Sequence, residues 1–307
     1  MSEIKLFRLT EAGAEAIPGS AMAIEKSLQT LIERHLDTFL GIRFLASEFV
    51  TSKSHGGRID TLGIDETNCP VIIEYKRALN ENVISQGLFY LNWLMDHRAD
   101  FKLLVMEKLG SDAAATIEWR YPRLVCIAGD FMKYDVHAIQ QIPQNIDLIR
   151  YRRFGNTLIV LERVGTQTTI PPAGTGRVAS GEQGATGSSP AELPTKPAAA
   201  QMLERSSAEL QDWYHGLRDF ILGLGDDIEE RALPAYIAFR RMKTFAYVKF
   251  GVARNRITIE VPLPAGAVPL EDGFAEQAPR SYVRIFVDSA EDAERAQPLI
   301  ALAYEQS

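Results

Sequence analysis

The stretch Gly57-Arg-Ile-Asp-Thr-Leu-Gly-Ile-Asp-Glu-Thr-Asn-Cys-Pro-Val-Ile-Ile-Glu-Tyr-Lys-Arg77 concentrates the side chains that could do chemistry. Two apolar runs flank a turn at about 65–70, whose Asp, Asn and Pro are turn formers. Antiparallel pairing across that turn predicts Asp60 roughly opposite Glu74. Side chains alternate along a strand, so Glu74 and Lys76 share a face with Ile72, their Cα atoms about 7 Å apart. Two carboxylates and an ammonium thus converge at the end of a hairpin otherwise built of Ile, Val and Leu. Unpaired carboxylates are costly to bury in such a place. A hard cation between them offsets that cost, and Mg²⁺ suits it by taking oxygen ligands and keeping several waters. Lys76 beside such an ion would orient or deprotonate a water, or stabilise a pentavalent phosphate.

Neighbouring segments bring further polar groups to this point. Glu25 lies in line with Leu28, Ile32, Leu36 and Phe39, on the inward face of its helix. A carboxylate there is either a group of the site or a helix residue tilted to solvent. Gln86 and Tyr90 are spaced i, i+4 and share one helix face, from which Gln86 could fix a water or phosphate. Glu48 stands near the end of the preceding strand. Arg58 and Arg77 flank the motif and suit phosphate contact, although surface arginines often have no such role.

The elements that must position these residues follow from apolar spacing. Leu28, Leu31, Ile32, Leu36, Phe39 and Leu40 predict an amphipathic helix over about 22–40 that stops at Gly41. Segments 43–52, 57–64 and 71–76 read as strands. Asn80, or Asn82, caps a helix over about 81–96. A helix near 99–109, a buried strand at Leu124–Ala128, a helix around 131–141 and strands near 146–152 and 156–163 complete the half. The predicted fold is an α/β sandwich in the order α-β-β-β-α-β. Residues 166–200 are rich in Gly, Pro, Ser, Thr and Ala and predict a flexible linker between domains 1–165 and 201–307. Beyond it, a helix near 201–222, strands near 235–240, 244–250, 255–262 and 281–287, and a helix near 289–304 predict a separate α+β domain.

Gly-x-Ile-Asp60, an apolar strand ending Glu74-x-Lys76, and Gln86-x-x-x-Tyr90 on the next helix resemble the PD-(D/E)XK nuclease superfamily. The likeness is greatest to its RecB-type and archaeal NucS-type branches and covers about residues 20–130. It implies a restriction-endonuclease-like fold, with Asp60 and Glu74 as ligands of Mg²⁺ or Mn²⁺ and Lys76 as the catalytic lysine. Glu25 matches the acidic residue of the family's first helix, Gln86 a catalytic helix residue, and Tyr90 a nucleic-acid contact. Ile59 stands where the family name calls for Pro. Residues 201–307, with His215-Gly-Leu-Arg-Asp and Asp226-Asp-Ile-Glu-Glu, resemble a bacterial domain family of unknown function often attached to nuclease-like modules.

Composition narrows the alternatives. Apolar residues make up 46% and charged residues 24%, an ordinary globular mix. No run reaches the ~20 apolar residues of a membrane span, and the N-terminus lacks an apolar signal region, so the expected location is the cytoplasm. The net charge of −7 argues against a nonspecific nucleic-acid coat protein. Residues 1–165 hold 19 Lys and Arg against 21 Asp and Glu, whereas 201–307 hold 12 against 17, so most of the acidity lies in the later part. Cys69 and Cys126 cannot make a zinc site alone. Arg150-Tyr-Arg152-Arg153-Phe154 interleaves basic and aromatic side chains, which could track a nucleic-acid backbone and stack bases, or could protect an edge strand. Arg240, Arg241 and Lys243 form a second basic cluster. The expected function is Mg²⁺-dependent endonucleolytic hydrolysis of DNA in repair or anti-phage defence. The alternative is an inactive nucleic-acid-binding or protein-interaction module, with 201–307 as the surface for a homodimer or protein partner.

Overall fold

Short runs of Ile, Val and Leu between turn residues build the strands of the first half, and a 3.6-residue apolar period builds the helices around them. The computed structural model describes residues 4–11, 13–21, 25–51, 56–76, 83–167, 198–279 and 281–307. The chain divides into two units, Met1–Thr169 and Ile170–Ser307. Most of the expected linker (168–197), together with His55, Arg77, Asn80 and Asn82, lies outside the described residues.

The first unit runs β1 (Leu6–Thr10), β2 (Gly13–Ile17), β3 (Gly19–Ser20), α1 (Glu25–Arg34), α2 (Leu36–Leu40), β4 (Ile42–Val50), β5 (Arg58–Asp65) and β6 (Pro70–Lys76). It continues with α3 (Val83–Asp96), α4 (Arg98–Leu109), α5 (Ser111–Ala115), β7 (Arg123–Ala128), α6 (Lys133–Ile139), β8 (Asn145–Phe154) and β9 (Leu158–Gln167). Seven strands form one mixed sheet in the order β3-β8-β7-β6-β5-β4, with β9 also on β8. β4, β5 and β6 pair antiparallel, whereas β6, β7 and β8 pair parallel. The β5–β6 turn is set by Asp65, whose Oδ1 accepts from Thr67 N, Thr67 Oγ1 and Cys69 N at 2.9, 2.7 and 3.0 Å. Asn68 takes the left-handed conformation there, φ 63°, as Asn can at little cost. That turn fixes the register Thr61 to Ile73, so Asp60 falls opposite Glu74.

Buried Arg123 anchors the same turn, with its guanidinium 3.4 Å from Asp147 and 3.9 Å from Asp65. On the α3 face, Ile72, Leu124, Cys126 and Leu148 pack in one cluster with Leu91 and Leu94. Gly87 lets α3 come down onto Leu124, which lies where a Cβ would stand.

The predicted helix over 22–40 is two helices, broken at His35, and Gly41 ends the second with φ 64°. The sequence lets Arg150–Phe154 be either a nucleic-acid track or an edge strand protected by charge. β8 instead lies inside the sheet between β7 and β9, and Tyr151 and Phe154 are buried core residues. They stack no bases. The β1–β2 hairpin was not foreseen, because its largely exposed residues carry no apolar alternation.

The second unit holds α7 (Ala198–Glu204), α8 (Ala208–Gly223), β10 (Glu229–Ala232), β11 (Ile237–Arg240), β12 (Thr244–Gly251), β13 (Arg256–Val261), β14 (Ala275–Ala278), β15 (Tyr282–Val287) and α9 (Ala290–Glu305). An antiparallel sheet in the order β10-β11-β12-β13-β15-β14 shares its core with the helices, through Leu217, Ile221 and Ile300 against Val248, Ile259 and Ile285. Ser207 splits the expected helix over 201–222 by capping α8, its Oγ accepting from Leu210 N. Two of the three cations of the basic cluster are taken up by ion pairs: Arg240 is buried against Glu229, and Arg241 bonds Asp227 and covers Tyr304.

Each unit has its own buried cluster. A fragment ending at residue 169 is therefore expected to remain folded and to melt cooperatively, as read by circular dichroism. An unfolded fragment would show that the first unit needs the second.

Candidate functional site

The last backbone pair of the β5–β6 ladder before the site is Thr61 with Ile73. Beyond it the two carboxylates replace the ladder. Tyr75 N–H donates to Asp60 Oδ2 at 3.0 Å, and Asp60 N–H donates to Glu74 Oε1 at 3.2 Å. Each strand thus holds the other's carboxylate. Glu74 is 0% exposed, and its Oε2 is buried with no hydrogen-bond partner. Burial first, then the charge of Asp60, pushes the Glu74 carboxyl up to about 9. Burial likewise raises Asp60, opposed by the Tyr75 N–H and by Lys76. Without a cation the pair therefore holds a proton at neutral pH.

Lys76 ends β6, and its Nζ lies 3.9 Å from Glu25 Oε1 at the first residue of α1. The structure thus brings Asp60, Glu74, Lys76 and Glu25 to one end of the sheet. Glu48 takes φ 54° and bonds Lys26 Nζ at 2.7 Å and Arg58 Nε at 2.5 Å. The Lys26 bond holds its carboxyl below the usual range. Glu48 is thereby engaged with two cations beside the site.

Gln29 was not foreseen. It is buried, and its Nε2 donates to Asp60 O at 2.7 Å and approaches Ser47 Oγ and Glu33 Oε1. Its Oε1 accepts from Lys26. The available signal was spacing, four residues after Glu25 and three before Ile32 on one helix face.

Tyr90 has another role than the expected nucleic-acid contact. It is 6% exposed, and its Oη accepts from Arg58 N at 3.1 Å and from Gln86 Nε2 at 3.3 Å. Gly57 makes room for the ring, since a Cβ there would lie 2.5 Å from Tyr90 Cε1. Tyr90 and Gln86 therefore tie α3 to the start of β5. Gly57→Ala is expected to destabilise the chain by about 1–3 kcal/mol through this overlap. Urea unfolding measures it, and an unchanged midpoint would show that the ring yields freely.

The expected cationic contacts divide. Arg58 is exposed, and Arg152 and Arg153 are half-buried, with Arg153 bonded to Asn156. Arg150 is a correction. Its side chain is 8% exposed and bonds Glu162 and Asp130, so it is not a surface cation awaiting phosphate.

No three His, Cys, Asp or Glu side chains converge among the described residues to hold an ion by themselves. The donor set is the Asp60–Glu74 pair. Two carboxylates fit Mg²⁺, which completes its shell with waters and substrate phosphates, and the orphaned Glu74 Oε2 lacks just such a partner.

A solved structure of an EndoMS–dsDNA2 complex aligns with 43% of this chain at 16% identity and TM-score 0.26, too slight a likeness to place the fold. The chain spans 47% of the length of that protein. An uncharacterised protein of Haemophilus influenzae is 28% identical over 261 residues, covering 84% of each chain. Residues 198–307 match DUF5655, a domain of unknown function, and the chain as a whole is a mixed α/β protein carrying that domain.

Proposed function

We propose that the first unit is a Mg²⁺- or Mn²⁺-dependent nuclease that hydrolyses DNA phosphodiester bonds. One observation carries this reading: a fully buried Glu74 with an orphaned oxygen, set opposite half-buried Asp60. Such a pair is costly without a counter-ion. The motif resemblance to PD-(D/E)XK nucleases and the element order α1-β4-β5-β6-α3-β7 support it.

Asp60 and Glu74 would hold the ion, which when bound polarises a phosphate and lowers the pKa of its water. Glu74 would release its proton to solvent on binding such an ion. Gln29 and the Tyr75 N–H fix Asp60 from two sides. Lys76 places an ammonium beside the pair to orient the attacking water or balance charge on the phosphate. Glu25 holds that ammonium in place. The second unit would bind a partner, a second copy or the substrate, and the protein would work in the cytoplasm, in repair or defence.

Incubation with single-stranded, duplex and branched DNA plus Mg²⁺ or Mn²⁺ tests the reading. Cleavage of at least one form, lost in Asp60→Ala and Lys76→Ala, is expected. No cleavage of any form, or cleavage indifferent to both substitutions, overturns it. The lack of a third ligand among the described residues favours a second reading, a nuclease-like module that binds without cutting. Absence of Mn²⁺ binding on titration would select that one.

A further inference from the structure

A cleft lies on the same sheet, two strands from the carboxylate pair. Parallel pairing sets Lys76, Ala128 and Arg150 in one row, and Arg150 pairs with Glu162 of β9. Partners in register point to the same face, so Arg150 stands on the face of Lys76, about 10 Å away at ~4.8 Å per strand. Beside this row opens a cleft of about 900 Å³ whose lining includes Asp130, Lys133, Tyr134, Arg150, Glu162 and Arg163. That is a size that buries a small ligand.

The lining has a distinct chemistry. Arg150 Nε and Nη2 bond Glu162 Oε2 at 3.0 and 2.5 Å, and Nη1 bonds Asp130 at 3.2 Å. The two carboxylates that would repel an anion are thereby neutralised in part, and Lys133 and Arg163 add positive charge. Tyr134 is 68% exposed at the cleft, and Lys133 Nζ lies 5.0 Å from its ring centroid. The ammonium sits over one face of this exposed ring, so the other face is the platform for a flat ligand whose phosphate the cation can meet.

We propose that this cleft is a base-binding subsite, which stacks an unpaired base of the cleaved strand on Tyr134 a nucleotide or two from the scissile phosphate. The inference rests on the nuclease reading above for the identity of its ligand. A base inside a duplex keeps its faces in the stack, so only an unpaired one reaches a ring. A duplex gripped through phosphates needs a surplus of cations, and residues 1–165 have none.

The test uses the full chain in EDTA and a fluorescent oligonucleotide. Tyr134→Ala is expected to weaken single-strand binding about tenfold, Tyr134→Phe to retain it, and blunt duplex of the same sequence to change less than twofold. An abasic nucleotide scanned along the strand should weaken the wild type at one or two positions and leave Tyr134→Ala unaffected there, as coupling requires. Equal single-strand affinity of Tyr134→Ala and wild type overturns the subsite. Tyr134-dependent binding without any cleavage would sink the nuclease reading and leave the subsite standing. Cleavage lost in Asp60→Ala but with unchanged KM in Tyr134→Ala would do the reverse.

Discussion

Asp60→Asn and Lys76→Ala are each expected to lower metal-dependent cleavage by about 10²–10³-fold, the usual effect of removing one fixed electrostatic group from a reacting centre. Both carboxylates take hydrogen bonds from the facing strand, so the isosteric Asn keeps that bond and removes only charge. The loss should therefore appear in cleavage with the fold retained, and Asp60→Asn should melt no lower than the wild type at pH 8 in EDTA, because it relieves the repulsion between the two carboxylates. Glu25→Gln should be milder, about tenfold, because Glu25 acts through Lys76 rather than on the substrate. Initial rates on a labelled oligonucleotide, beside melting curves for each variant, provide the measurement. Equal losses in Asp60→Asn and a distant surface control would remove the site from the chemistry.

A second large effect is expected in the pH dependence of stability. Folding raises the Glu74 carboxyl from its ordinary 4.5 to about 9, through burial and the neighbouring Asp60 charge. Between those values the folded chain holds a proton that the unfolded chain has released. Stability of the metal-free protein therefore falls as pH rises from about 4.5 towards 9. At 1.36 kcal/mol per unit the whole effect is about 6 kcal/mol at most. The raised Asp60 acts with the same sign. Glu74→Gln should flatten this slope and exceed the wild type in stability at pH 8 in EDTA. Mn²⁺ at a hundred times its Kd should stabilise the wild type by about 2.7 kcal/mol and leave Glu74→Gln unmoved. Parallel pH curves for the two proteins, or no Mn²⁺ shift in the wild type, would show that Glu74 neither holds the proton nor meets the ion.

The hairpin geometry was legible in one dimension because it is local. A turn over 65–70 and a period of two place Asp60 against Glu74 and set Lys76 on the Glu74 face, and the register agrees. Helical period carried Glu25 to the site for the same reason. What spacing does not contain is which surfaces pack together. Arg150-Tyr-Arg-Arg-Phe154 reads as a basic, aromatic surface strip, yet parallel pairing on one side and antiparallel on the other bury Tyr151 and Phe154 and draw Arg150 between Glu162 and Asp130. Tyr90 reads as a ligand contact until Gly57 is seen beneath its ring. Gln29 reads as an ordinary helix residue until α1 lies on β5 and its amide meets the Asp60 carbonyl. Alternation and turns determine what a residue faces within one element. Whether that face meets water, a core or an opposite charge is decided by strands and helices distant in sequence, because burial and ion pairing belong to the assembled sheet.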